Sequence, residues 1–288
     1  MMVNELDLLE QKAFYIGSSR NLDQSDKIII GLPMDATTSF RPGARLAPYR
    51  LREVSEGIEE YSVYLDKSLE DIEFYDAGDV ILPWGNVIES LRRIQRITAF
   101  FLDKGKKIYS VGGEHLVTLP LIRAYKSFYS DLVVIQMDAH ADLRKDYLGE
   151  PLSHAAVMRK VLEEIGEKNL FQLGIRSGTS EEISFGKKYT NLYIDQFLSV
   201  LDEVKNKIGS KHVYISLDID ILDPAFAPGT GTPEPGGISS REVFKSILEL
   251  SELNIVGFDL VEISPPYDKG DITSILGAKI LREALLAF

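Results

Sequence analysis

Short apolar runs alternate with longer amphipathic stretches along the whole chain. Strand-length runs occur at Lys27–Leu32, Ile72–Tyr75, Lys107–Val111, Leu132–Met137, Asn169–Leu173, Leu192–Ile194, His212–Leu217 and Ile255–Leu260. Several are apolar at successive positions, the pattern of strands buried on both faces in a parallel sheet. Helical periodicity lies between them. Over Val87–Leu102, the side chains of Val87, Leu91, Ile94, Ile97 and Leu102 form one stripe. Ser240–Leu250 does the same with Val243, Ile247 and Leu250, behind Ser239 or Ser240 as N-cap. Alternation of this kind predicts βαβ units. The expected fold is one three-layer α/β/α domain over residues 1–288, with a mostly parallel central sheet. No repeat, low-complexity segment or linker divides it.

Gly-, Pro- and polar-rich segments follow the strands at Pro33–Pro48, Asp138–Ser153, Asp218–Gly237 and Ser264–Asp271. Each begins where a strand ends. Ligand sites of open parallel sheets lie at those carboxyl ends, so the chemistry is expected there.

Composition narrows the possibilities. The 288 residues include 44 acidic and 32 basic side chains, for a net charge of −12. That balance disfavours nucleic acid and suits small cationic molecules. No run approaches the ~18 apolar residues that span a bilayer. The acidic start, MMVNELDLLEQKAF, lacks the apolar stretch of a secretory signal, so a cytoplasmic location is expected. The absence of cysteine excludes disulfides, thiolate metal sites and cysteine nucleophiles.

Three segments carry candidate chemistry. Asp138-Ala139-His140-Ala141-Asp142 follows a buried run, and residues at i, i+2 and i+4 of extended backbone share a side. Asp218 and Asp220 share a face at the end of His212–Leu217. Gly112-Gly113 lets the backbone turn tightly after Lys107–Val111 and gives His115 room to reach inward. Like charges brought this close need a shared cation or proton. Two histidines and four aspartates match two divalent cations. Oxygen-rich ligation without thiolate favours Mn²⁺ over Zn²⁺, with Mg²⁺, Fe²⁺ and Co²⁺ open. Two such ions about 3.5–4 Å apart can lower the pKa of a shared water toward ~7. His212 stands at a strand start and is read as structural or exposed.

As a set, the segments VGGEHLVTLP, VVIQMDAHAD and ISLDIDILDPAFAPGTGTPEPGG resemble the three motifs of the ureohydrolase family, the arginases, agmatinases and their relatives. GLPMDATTSFRPGARLAPYRLRE and DLVEISPPYD extend the resemblance over nearly the whole chain. It implies two Mn²⁺ in one binuclear site. His115 and Asp142 would bind one ion, His140 and Asp220 the other, and Asp138 and Asp218 would bridge them. Glu262 matches the guanidinium-binding glutamate, and His154 the histidine that shuttles protons at the site mouth. A metal-bridging hydroxide would attack the guanidinium carbon, with Asp142 and His154 supplying the proton on which the amine leaves. Relatives form homotrimers or homohexamers.

The resemblance also bears on the substrate. Arginases carry an Asn two positions beyond the last aspartate of the second motif, and a Ser-Gly-Asn-x-His-Gly run. This chain has Asp142-Leu143-Arg144 and Pro151-Leu152-Ser153-His154-Ala155-Ala156 instead. Agmatine is therefore the expected substrate, with Asp146 or Glu150 receiving its terminal ammonium. N1-aminopropylagmatine is a close rival. Arg144 keeps 4-guanidinobutyrate and N-formimidoyl-glutamate open. A metal-binding relative without catalysis is the non-enzymatic alternative.

Overall fold

The computed structural model describes residues 5–288, so the first four residues of the acidic N-terminal stretch lie outside it. The strands are β1 (Leu9–Glu10), β2 (Lys27–Leu32), β3 (Tyr61–Ser62), β4 (Lys67–Ser68), β5 (Phe74–Val80), β6 (Lys107–Gly112), β7 (Val133–Met137), β8 (Leu170–Ile175), β9 (Asn191–Ile194), β10 (His212–Asp218) and β11 (Asn254–Val261). The helices are α1 (Ala47–Ser55), α2 (Val87–Asp103), α3 (Thr118–Phe128), α4 (Val157–Ile165), α5 (Ser180–Tyr189), α6 (Leu201–Ile208), α7 (Ser240–Leu250) and α8 (Ile272–Ala287).

Nine strands form one sheet in the order β1-β5-β2-β6-β11-β10-β7-β8-β9, while β3 and β4 pair as a small hairpin. Every neighbouring pair in the sheet is parallel except β1 with β5. Alternate residues of one strand feed opposite cores. In β2, Ile29 joins the layer packed under α1, α6, α7 and α8, while Ile28, Ile30 and Leu32 join the layer under α2, α3 and α4. In β7, Val133 and Ile135 face the first layer and Val134 the second. Such a strand must be apolar at every position, which is why continuous apolar runs mark it in the sequence. The result is the expected α/β/α architecture. Among the described residues, no helix is long and apolar enough to cross a membrane.

The strand expected at Ile72–Tyr75 runs on to Val80 through Asp76, Gly78 and Asp79. The reason is Arg52, buried on α1. Its guanidinium donates to both carboxylate oxygens of Asp76 at 2.8 Å and to Asp79 at 2.6 Å. Two polar residues that read as a strand end are thus neutralised inside the sheet. Gly78, at φ +80°, lets β1 approach, because a Cβ there would stand 2.3 Å from the Glu10 carbonyl oxygen.

Candidate metal centre

Four adjacent strands, β6, β11, β10 and β7, end side by side and deliver His115, Glu262, Asp218 and Asp138 to one edge of the sheet. The chain passes from β6 to β7 over positions later filled by β11 and β10. The carboxyl edge between those strands is where such a sheet opens a crevice. The crevice here is a cleft of about 390 Å³, lined by His140, Asp142, His154, Asp218, Asp220 and Glu262 among others.

The floor is built from carboxylates around imidazole. His115 Nδ1 stands 3.1 Å from Asp138 Oδ2, 3.1 Å from Asp142 Oδ2 and 3.3 Å from Asp218 Oδ2. His140 Nδ1 lies 2.9 Å from Asp220 Oδ2 and 3.8 Å from Asp138 Oδ1. Two ligand groups result: His115 with Asp138 and Asp218, and His140 with Asp138 and Asp220. Asp138 belongs to both. Among the described residues, the buried His115 Nδ1 atom makes no hydrogen bond of proper geometry, although three carboxylates crowd it. A nitrogen and carboxylate oxygens aimed at a common point fit a hard divalent cation.

Proton affinities record the same crowding. Burial lowers the pKa of His115, but the Asp138, Asp142 and Asp218 carboxylates prevail and raise it well above the usual imidazole value. Burial likewise opposes the charge on His140, yet Asp220 and its neighbours push it up to about 11. Asp138 rises to about 6 and Asp218 well above the carboxylate range, first through burial and then through Asp220. Asp220 is held down at about 2: burial opposes its charge, but His140 outweighs it. Before a cation arrives, protons hold these like charges together.

Support around the ligands fixes their aim. His115 Nε2 lies 3.0 Å from Ser216 Oγ, and Ser216 donates to buried Asp259 at 2.7 Å. Such a partner on the far ring nitrogen orients a ligating histidine. Gln136 donates to Asp138 Oδ2 at 2.7 Å, and the backbone N–H of His140 donates to Asp138 Oδ1 at 2.6 Å. Arg176, just beyond β8, donates to the carbonyl oxygens of Asp220 and Glu234, both at 2.7 Å, and so ties down the loop after β10. Asp142 and Glu262 both sit at positive φ, +51° and +64°. Non-glycine residues adopt that conformation at a cost, and it is concentrated at working sites.

Glu262 is buried, and one oxygen accepts the His115 backbone N–H at 2.7 Å. Burial pushes its pKa up to about 8. His154 lines the same cleft beside Ser39, 3.1 Å from Nε2 to Oγ, and burial lowers its pKa.

Asp146 and Glu150 are not brought into the cleft. Both are exposed, and their carboxylates cap turns of their own loop, Asp146 on the Gly149 N–H and Glu150 on the Leu152 N–H. Arg144 does reach the cleft, with Nε 3.7 Å from Glu182 Oε2. Glu182 escaped the sequence reading. It sits in the capping box Thr179-x-x-Glu182 that opens α5 just beyond the end of β8. That signature is legible in sequence, and its place after a strand was the clue. His212 is partly exposed and pairs with Asp131 at 2.7 Å, away from the cleft.

Comparison with known proteins adds independent findings. The arginase family profile matches residues 25–287. The agmatinase of Bacillus subtilis is 49% identical over 278 residues, 95% of this chain and 96% of that protein. The agmatinase of Bacillus anthracis is 48% identical over 277 residues, with 95% and 96% covered. Among solved structures, the agmatine ureohydrolase of Thermoplasma volcanium matches with a TM-score of 0.88 at 31% identity, covering 99% of this chain and 97% of that one.

Proposed function

The chain belongs to the arginase family, and from that premise we propose that it hydrolyses the guanidino group of agmatine to urea and putrescine. The observation that carries the site assignment is the shared carboxylate. Asp138 belongs to two overlapping ligand groups at the floor of one cleft that also holds Glu262. The family is metal-dependent, and the reading assigns two Mn²⁺ per chain. His115 and Asp142 would hold one and His140 and Asp220 the other, with Asp138 and Asp218 contributing to both. Bound there, the cations would supply a water acidic enough to be a nucleophile near neutral pH, and positive charge beside the reacting carbon.

The chain's own residues do the rest. Glu262 accepts parallel N–H bonds from the planar guanidinium and so turns its carbon toward the floor. Asp142 takes a proton at its carboxylate and passes it to the departing amine. His154, kept neutral near pH 7 by its lowered pKa, exchanges that proton with solvent at Nε2.

Electrostatics favour a cationic substrate over one with an acidic tail. Asp142, Glu182, Asp218, Asp220 and Glu262 line the cleft, against Arg144 as its basic residue. With Asp138, six carboxylates outweigh two divalent cations and one guanidinium. Because Arg144 stands against Glu182, its charge is partly offset where a tail ammonium would lie. The reading includes a homotrimer or homohexamer that supplies putrescine in the cytoplasm. Exposed Trp84, Ile88 and Leu148 provide apolar surface for contacts between copies.

The test is urea release by the Mn²⁺-loaded and the chelator-stripped chain, with metal content counted in each. The compounds are agmatine, N1-aminopropylagmatine, L-arginine and 4-guanidinobutyrate. Metal-dependent urea from agmatine, inert arginine and about two ions per chain are expected. Urea chiefly from 4-guanidinobutyrate would overturn the electrostatic argument.

A further inference from the structure

The loop between β2 and α1 is held to the site by one residue that has no part in the roles above. Glu114 follows the Gly112-Gly113 turn, and its backbone N–H donates to the Met34 carbonyl at 2.7 Å. Gly113 permits this contact, since a Cβ there would lie 1.8 Å from the same oxygen. The Glu114 side chain is fully buried. Its Oε2 accepts the Thr37 backbone N–H at 2.7 Å and the Thr38 hydroxyl at 3.3 Å. Its Oε1 has no hydrogen-bond partner among the described residues. Leaving a buried carboxylate oxygen unpaired is costly.

Thr37 in turn holds His154 at two points. Its Oγ1 accepts the His154 backbone N–H at 3.1 Å, and its carbonyl oxygen lies 2.7 Å from His154 Nδ1. A carbonyl only accepts, so Nδ1 carries the proton and the neutral ring leaves Nε2 free to take one. Nε2 is the atom beside Ser39 at the cleft.

We infer that Glu114 is a positioning residue for His154: by gripping Thr37 it fixes the ring tautomer that presents Nε2 to the cleft. The inference rests on the proposed proton exchange by His154. A buried acid three steps from the reacting atoms thereby sets which nitrogen does the work.

Two measurements test it. The first is ¹⁵N NMR of the histidine rings in the Zn²⁺-loaded chain, which reads the tautomer without turnover. His154 is expected as Nδ1–H in the wild type and in Glu114→Gln, whose amide oxygen still accepts the Thr37 N–H. Glu114→Ala is expected to show mixed tautomers. The second is urea release by the Mn²⁺-loaded chain. A well-placed acid–base group contributes about 10²–10⁴-fold, so Glu114→Ala is expected to lower kcat about tenfold, and Thr37→Val, which keeps the backbone N–H and carbonyl and loses only Oγ1 at the His154 N–H, by less. KM and metal content should stay near wild type, and Glu114→Gln should restore kcat. Combined with His154→Ala, neither change should lower kcat further, because both act through that ring. Additive losses or an unchanged tautomer in Glu114→Ala would overturn the inference. So would loss of metal from Glu114→Ala, which would make Glu114 a support for His115. A wild-type chain that releases no urea defeats the functional reading alone, while the tautomer still decides this one.

Discussion

The division of labour at the cleft floor turns on what each side chain can and cannot share. Asp138 stands in both ligand groups, so its loss removes an oxygen from each. Asp138→Asn keeps the shape but loses the charge, and is expected to abolish metal retention and nearly all urea release. His154 touches neither group and meets the floor only through the cleft. His154→Ala is therefore expected to keep its metal while turnover falls about 10²-fold. Parallel metal analysis and urea assays separate the two. A His154→Ala chain that lost its metal would have to be redrawn with His154 as a ligand. Full metal content and normal turnover in Asp138→Asn would overturn the site as drawn.

Elements differ in how openly the sequence declares them. Those declared by their own residues were legible: Lys27–Leu32 by its unbroken apolar run, and Ser240–Leu250 by its helical stripe behind the Ser239/Glu242 capping box, and both have the expected ends. Elements whose burial depends on a distant partner were not. β5 continues past Tyr75 only because Arg52, 24 residues earlier, cancels Asp76 and Asp79 inside the sheet. No local pattern encodes that pairing. The site divides in the same way. Aspartates and histidines at alternate positions after apolar runs could be read directly, and their family likeness supplied roles. Which loop acids reach the cleft could not be read, because that depends on how the 138–153 loop closes its own turns. The Arg52 cluster gives the test at this scale. Breaking a buried ion pair from one side typically costs about 3–5 kcal/mol, since the partner charges stay buried. Arg52→Met is expected to lose about that much in urea denaturation. Loss of less than about 1 kcal/mol would mean that water reaches Asp76 and Asp79 and that the cluster does not hold β5 in place.

For the whole molecule, the carboxyl edge of the sheet is a store of like charge that either protons or cations must neutralise. Without cations, protonated His140, pushed up to about 11, and His115, also raised, hold the aspartates together. Groups raised in the folded state stabilise it fully below their unfolded value, near 6.5 for histidine, and that stability fades as pH climbs toward 11. Cations bind the deprotonated ligands, so they displace those protons and their affinity rises with pH. The metal-free chain should therefore lose stability from pH 6 to pH 9, while the gain in Tm on adding Mn²⁺ grows over the same range. A site saturated at about one hundred times its Kd adds about 2.7 kcal/mol. Uptake of Mn²⁺ in weakly buffered solution should release protons at pH 7. A larger gain in Tm at pH 6 than at pH 9, or uptake without proton release, would show that the histidines are already neutral before the metal arrives. The aspartates would then share protons among themselves, and His140 would not be the group that holds Asp220 ionised at this edge.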